Sequence, residues 1–523
     1  MNLRIAFLIC ILCLQFIQAL VAQPGSLDKS FGNNGIVVTK ICPEQDGIQS
    51  IAIQSDKKIV CAGFTHKGSN YDIALARYDT IGSLDPDFGT NGIVNTVVGN
   101  LNSGGYSLNI QGDGKIVLAG QSGDFSSSNF TLVRYNINGS LDSAFGVNGI
   151  VITQFDGWSQ ILCSVLDTDG NIIAGGYECG SGPIAKNAFA LSRYNSDGTL
   201  DGTFGVGGKV VTSINNINDV ATSMALRKNS KILLAGWSYE GWNPRFALVQ
   251  YNHDGSLDQT FGAGGKIITS FPFWSEAWAL AIQNDEKVLV AGHSFDGECD
   301  NFTLVRYNEK GSLDSTFGAN GLVVSKIGMG NNSAMALKIQ SDGKILAAGH
   351  SLNADSKYEF ALAQYDSIGG LDRTFGNNGI VNTSISDFSD WAYSMAIQNN
   401  GKIILGGVAH YSDSVSLFAI AQYLPGLNTG SIYPEAVRNS ISVYPVPVPN
   451  RTTLSYTLAE PSMVNISLTD INGKLIKTLI HNQVQETGPH LQDIFLSDSL
   501  PSGPYFLITS INRRCYPMKI IKE

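Results

Sequence analysis

The chain has 523 residues, more than one ordinary domain holds. Its 57 glycines, 43% apolar residues and only 15% charged residues describe a β-rich protein with many tight turns rather than a disordered one. The formal net charge is −10, and residues 23–440 carry −12 of it against slightly basic ends, which excludes nucleic acid and anionic membrane surfaces as natural partners.

Residues 1–22, MNLRIAFLICILCLQFIQALVA, place Arg4 ahead of an apolar run that closes on Ala22, the pattern of a secretory signal peptide. No later segment is apolar enough to span a bilayer, so no integral membrane segment is expected after cleavage. Cys42, Cys61, Cys163, Cys179, Cys299 and Cys515 then remain. They do not recur in any repeat frame and show no CxxC or zinc-ligand spacing. Cys61, in an apolar strand, reads as a small core residue.

From residue 23 the chain repeats. The phrase S-L-D-x-x-F-G returns with its leucine at Leu27, Leu84, Leu141, Leu200, Leu257, Leu313 and Leu371, a period of about 57 residues. Each unit adds three recurring segments, represented by SIAIQ (50–54), KIVCAG (58–63) and IALARY (73–78), and a short strand such as GIVVT (35–39) follows each phrase. Four short strands per unit form a small antiparallel sheet that cannot bury both faces alone, and seven such sheets arranged radially can. The expected fold is all-β: a seven-bladed β-propeller over 23–423, then a linker at 424–440 and a small β-sandwich over 441–523.

The phrase itself reads as architecture. Its Ser can cap a single helical turn, its Leu and Phe can pack inward from one side of that turn, and its Gly supplies the positive φ that ends it. The acid at Asp28, Asp85, Asp142, Asp201, Asp258, Asp314 and Asp372 can bond to nearby backbone amides. A residue present in every blade is most simply a structural one. Seven calcium sites would be the alternative, but nothing in the sequence supports them, and no cofactor and no metal site are expected. The spacing, the S-L-D-x-x-F-G phrase and the KI(V/L)xAG strand together resemble the delta-60 repeat family of bacterial β-propellers over roughly 25–423. That resemblance implies the propeller fold and little about activity.

Function must lie where the repeats disagree. Turns such as QSDKK, QGDGK, QNDEK and QSDGK share one face of the ring with the phrases and are monotonous, whereas the loops of the other face vary and carry aromatics. FDGW, FPFW and FSDW bring Trp158, Trp274 and Trp391 to that face. The slot after the third recurring strand holds Phe64, Gln121, Tyr177, Trp237, His293, His350 and Val408, with Trp242 close by. Trp158, Tyr177, Trp237, Trp242, Trp274, His293, His350 and Trp391 are therefore the candidate ligand-binding residues, suited to stacking on sugars or gripping an extended polypeptide. His293 and His350 sit in equivalent slots of adjacent blades, expected to be well separated. No catalytic residue can be named: there is no GxSxG elbow, no sialidase box and no marked carboxylate pair.

After Tyr423 the repeat stops, and ISVYPVPVP, TTLSYTL, VNISLTDINGKLIKTL and PYFLITSINRRCYPMKII follow, with an Asn-Gly turn at 472–473. Tyr444-Pro445-Val446-Pro447, the Gly473-Lys474 turn, Gly503-Pro504-Tyr505 and the ending Lys519-Ile520-Ile521-Lys522 resemble the type A C-terminal sorting domain of the type IX secretion system, with Val446 where that family usually has Asn. The resemblance implies partnership with the secretion machinery and delivery outside the cell or onto its surface. The whole reads as a secreted or cell-surface binding or adhesion module, non-catalytic and monomeric, for a glycan or a surface protein. A polysaccharide-active hydrolase or lyase and a purely structural surface protein are the alternatives.

Overall fold

The computed structural model describes residues 23–99, 102–124, 127–181, 185–425, 442–444, 447–448, 450–458, 461–470, 474–497, 500–511 and 514–523. The signal peptide, most of the linker and the Asn-Gly turn lie outside the described residues. The chain divides into two compact units, Met1–Asn428 and Thr429–Glu523.

The first unit is built of seven four-stranded antiparallel sheets. Blade 1 has Asp46–Ile53 innermost, then Ile59–Lys67, Asn70–Tyr78 and Ile93–Thr96 outermost. The inner strands of blades 2–7 are Asn102–Ile110, Trp158–Leu166, Asp219–Leu226, Ser275–Ile282, Asn332–Ile339 and Asp390–Ile397, and each packs against the next around the axis. The blade is thus offset from the sequence repeat: the strand after each phrase is the outer strand of the preceding blade. In blade 7 that outer strand is Ile36–Thr39, from the other end of the chain, paired with Val415–Tyr423. One sheet therefore joins both ends and leaves the ring without a free pair of edges.

Between blades the core is apolar, with one recurring polar device. Tyr78, Tyr135, Tyr194, Tyr251, Tyr307, Tyr365 and Tyr423 end the third strands and are fully buried. Tyr78 donates to Thr39 Oγ1 (2.7 Å), Tyr135 to Thr96 (2.8 Å), Tyr194 to Thr153 (2.8 Å) and Tyr423 to Thr383 (2.9 Å), each a threonine on the outer strand of the preceding blade. A buried phenol needs such a partner, and the bond fixes the spacing of neighbouring blades.

The S-L-D-x-x-F-G phrase is a chain of tight turns between third and outer strands. No helix is present among the described residues, so its Ser caps none; Ser83, for example, closes the preceding turn through its carbonyl, which accepts from Asp79 N (2.8 Å). Phe31, Phe88, Phe145, Phe204, Phe261, Phe317 and Phe375 are buried as expected; Leu27, Leu84, Leu200, Leu257 and Leu371 are partly buried against the core, whereas Leu313 (45%) and Leu141 (39%) are exposed. The leucine extends the strand, bridging to the tyrosine, as in Tyr307↔Leu313. The glycine after each Phe has φ near +50° (Gly318, +50°).

The acid of the phrase ties this turn down. Asp314 Oδ1 accepts from Thr316 N (3.1 Å) and Thr316 Oγ1 (2.7 Å), while Oδ2 faces Arg306 Nε (2.7 Å) and Lys287 Nζ (3.0 Å). Arg306 also lies over the Phe317 ring, 4.5 Å from its centroid. Asp85 and Asp142 repeat the arrangement with Arg77 and Lys58, and with Arg134 and Lys115. Asp201 pairs with Arg193, Asp258 with Lys231 and Gln250, Asp372 with Lys344 and Asp28 with Lys402. Despite burial, these bonds hold all seven carboxyls below the usual aspartate range.

The second unit holds a three-stranded sheet (Ser442–Tyr444, Arg451–Leu458, Gly488–Phe495) and a four-stranded one (Leu475–Gln485, Ser462–Thr469, Gly503–Ile511, Arg514–Lys522), both antiparallel. Leu454, Tyr456 and Ile494 of the first share one buried cluster with Val464, Ile466, Leu507 and Ile520 of the second. Among the expected sorting residues, Tyr505 is buried and donates to Pro501 O (2.7 Å), and the Lys522 ammonium is buried on Ser497 O (2.6 Å) and Leu500 O (2.5 Å). Pro447 is exposed, Gly503 opens a strand, and Lys474 N donates to Asp470 Oδ1 (2.9 Å). Tyr444 and Lys519 lie on paired strands; Pro445 and Gly473 fall outside the described residues.

Candidate functional site

Each inner strand carries a β-bulge where its register against the second strand slips by one residue, at Gln49, Tyr106, Leu162, Thr222, Trp278, Met335 and Tyr393. Opposite sits the glycine that ends KI(V/L)xAG. A Cβ on Gly292 would lie 1.9 Å from the Glu276 carbonyl oxygen, and the equivalent glycine of every blade meets a carbonyl at that distance. The bulge is therefore built into the repeat, while the residue it displaces varies, with only Tyr occurring twice.

Two positions before the bulge lies a second ring, of cross-strand pairs: Gly47–Phe64, Gly104–Gln121, Gln160–Tyr177, Val220–Trp237, Glu276–His293, Ser333–His350 and Trp391–Val408. The slot residues identified from sequence are the second members of these pairs. Neighbouring pairs touch: His293 Nδ1 lies 3.0 Å from Ser333 Oγ of the next blade, and the His350 ring lies 6.4 Å from that of Trp391.

The eight expected binding residues do not form one site. Trp158 meets Tyr177 edge to face (5.3 Å), and the Tyr177 hydroxyl donates to Gln160 Oε1 (2.8 Å). Trp237 packs edge-on to Tyr239 (5.6 Å), and Trp242 stands alone on its hairpin, 95% exposed. His293, His350 and Trp391 come together over blades 5–7, joined by Tyr358 and His410, whose rings lie 5.7 and 4.7 Å from Trp391. Trp274 stacks on Phe295 (3.9 Å, 14°) at the edge of this arc and donates from Nε1 to Asp300 Oδ1 (2.9 Å). The two histidines are nearer than expected: the charge of His293 helps depress His350, whose pKa falls to about 4, chiefly through burial.

Sequence reasoning missed Glu276. Its Oε2 lies 3.9 Å from His293 Nε2. Burial, then the negative charge of Asp300, raises its carboxyl to about 7, while burial holds His293 below its ordinary value. A carboxylic acid poised near neutrality beside a neutral imidazole can share and pass a proton and can hydrogen-bond hydroxyls. Ser333, Trp278, Tyr106 and Tyr393 were missed too. Aligning the inner strands column by column (DGIQSIAI, SEAWALAI, NSAMALKI, DWAYSMAI) exposes them, because the second and fourth columns change more than their neighbours.

Three other carboxylates of this face are already committed. Asp46 accepts from Ile41 N (2.8 Å) and Thr65 Oγ1 (2.6 Å), Asp219 from Ile214 N (2.8 Å), and Asp390 from Ile385 N (2.8 Å) and Ser386 Oγ (2.7 Å). Each closes the loop that enters its blade. Among the described residues no group of three or more His, Cys, Asp or Glu is placed to hold a metal ion, and no helix is long and apolar enough to cross a membrane. Cys42, Cys61, Cys163, Cys179 and Cys299 are free thiols.

Comparison with known proteins agrees with this architecture. The model of a domain of unknown function (DUF5122) β-propeller matches residues 54–88, 111–145, 168–204, 228–261, 283–317 and 340–375. Each match runs from the turn after an inner strand through the following phrase; the seventh copy is divided between the chain's two ends and cannot match as one segment. The model of a secretion system C-terminal sorting domain matches 442–523. No curated protein sequence matches the chain. Similar solved structures include a protein of unknown function from Dyadobacter fermentans (9% identity, TM-score 0.40, covering 77% of this chain and 98% of its own). An ulvan lyase with bound oligosaccharide (11%, 0.41, 77% and 94%) and a glucose dehydrogenase (12%, 0.36, 60% and 95%) are others. Likeness at this level carries no argument about chemistry.

Proposed function

We propose that this chain of DUF5122 β-propeller repeats, ended by a secretion system C-terminal sorting domain, is a binding or adhesion module whose varied face grips a glycan or surface protein. The sorting domain makes it an exported protein, extracellular or on the cell surface, and cargo of type IX secretion. The binding reading is carried by one observation: positions held in identical register in all seven blades are filled on this face by varied, often aromatic or hydrogen-bonding side chains, with Trp391, Tyr177, His293 and Glu276 among them. A rigid ring with variable aromatic and hydrogen-bonding tips is suited to recognition at low entropic cost.

Incubation of the exported chain with a panel of insoluble polysaccharides tests this. Depletion from the supernatant, lost in Trp274→Ala, supports the module, and absence of depletion across glycans and cell-surface proteins refutes it. A second reading has its own support in the Glu276–His293 pair, which is equipped for acid–base chemistry on a polysaccharide. New reducing ends in the same tubes, abolished by Glu276→Gln, would establish that reading instead.

A further inference from the structure

Blade 5 joins an aromatic stack to two carboxyl groups that no lysine or arginine among the described residues answers. Trp274 and Phe295 form one row across its sheet, the Phe295 amide donating to the Trp274 carbonyl (3.0 Å), and Glu276 with His293 form the next row, two residues on along each strand. Side chains two apart share a face, so the stacked Trp274–Phe295 rings and the Glu276–His293 pair stand side by side. Asp300, opposite Phe295 on the third strand, completes the first row and anchors the indole from its Oδ1. Glu276 and Asp300 are thus two carboxyl groups bracketing an aromatic platform, and their charges act on one another.

Among the described residues no lysine or arginine pairs with either of them. Lys326 faces Asp296 (3.6 Å) and Glu298 (3.4 Å) on the adjoining hairpin instead. The aspartates of the phrase, by contrast, each have a lysine, an arginine or both. Two more polar atoms on this arc, Trp278 Nε1 and His350 Nδ1, are buried without a partner. Partly buried carboxyls without a counter-charge, and buried polar atoms without a partner, are costly unless a ligand completes them.

We propose that blade 5 is an ammonium-binding subsite for an amino sugar of a cationic glycan, the ring stacking on Trp274 and its ammonium taking Glu276 and Asp300 as counter-charges. An aromatic face beside carboxylates attracts an ammonium by cation–π and charge-assisted hydrogen bonds together. The same acids repel uronate and sulfate sugars, and they leave a neutral acetamide without its partner. The proposal rests on the glycan-binding reading and gives it a ligand class.

The test compares two soluble oligomers of equal length, a glucosamine tetramer and an N-acetylglucosamine tetramer, by calorimetry on the full exported chain at about pH 7, where Glu276 ionises and amines still carry charge. The expected result is affinity at least about tenfold tighter for the glucosamine oligomer, falling roughly tenfold in Asp300→Asn and in Glu276→Gln. The acetylated oligomer should be little affected by either substitution. Circular dichroism and thermal melts of both variants exclude misfolding, and the near-isosteric Asp300→Asn keeps an acceptor for the indole. Equal affinity for the two oligomers would overturn the ammonium subsite and leave the glycan reading standing. Binding of neither overturns the ammonium subsite and leaves the glycan reading to the polysaccharide panel. Binding of a lysine-rich peptide but not of the glucosamine oligomer would keep the carboxylates as a cation site and overturn the amino-sugar assignment.

Discussion

At the residue scale the molecule separates groups that hold the ring from groups left free to act. Asp314 is 3% exposed and serves Thr316, Arg306 and Lys287 at once, so Asp314→Ala leaves a buried guanidinium unpaired and should cost about 3 kcal/mol. A thermal melt of that variant unchanged from the parent would remove the structural role of the repeated acid. Glu276 titrates in the opposite sense. Its folded pKa of about 7 stands above the ordinary 4.5, so the folded state holds this proton more tightly than the unfolded one. That advantage is complete below pH 4.5, fades as pH rises, and is gone above about 7, a swing of roughly 3 kcal/mol at most. Glu276→Gln cannot titrate, so it should match the parent in acid and melt higher than the parent at mildly alkaline pH. Parallel melting curves across that range would show that Glu276 is not held protonated.

At the element scale the bulge on each inner strand is the decisive feature. Gly292→Ala should be among the most damaging single substitutions, because its Cβ would meet the Glu276 carbonyl backbone at 1.9 Å with nothing flexible to yield. The expected loss is about 3 kcal/mol or more, read as a drop in denaturant midpoint, whereas Gly297→Ala on the exposed hairpin, whose Cβ meets only Phe273 at 3.5 Å, should cost only the strain of its positive φ, about 1 kcal/mol. The strands themselves were legible because their apolar runs and the Gly after each Phe recur at a fixed period. The bulge was not, since it exists only between two strands, although KI(V/L)xAG already displayed its glycine. The same gap explains the leucine of the phrase: its spacing from Phe suggested a helical turn, whereas it bridges to the strand-ending tyrosine, packing on the core in most blades. Trp158, Tyr177, His293, His350 and Trp391 were legible as departures from the repeat. Glu276 and Asp300 were not, because an acid draws notice only once its missing counter-charge is seen.

At the scale of the whole molecule, closure and export use opposite ends of the chain, and each end can be removed separately. Ile36–Thr39 is the outer strand of blade 7, and the same N-terminal stretch supplies Asp28 to Lys402 and the Gln23 amide to the Gly376 carbonyl (2.5 Å). Without it, Val415–Tyr423 becomes an unpaired edge, and blade 7 loses both its fourth strand and the threonine that receives Tyr78. Starting the exported chain at residue 40 should therefore lower the melting temperature by about 10 °C or more and promote association through that edge. Ending it at Asn428 removes the second unit, which has its own buried cluster, and should leave the propeller's melting temperature unchanged while the protein accumulates inside the cell. The two truncations make a crossed test, melting temperature against the fraction recovered outside the cell. A propeller that melts normally without residues 23–39 would show that the ring does not depend on the strand that closes it. A chain still exported without residues 429–523 would show that its sorting signal lies elsewhere.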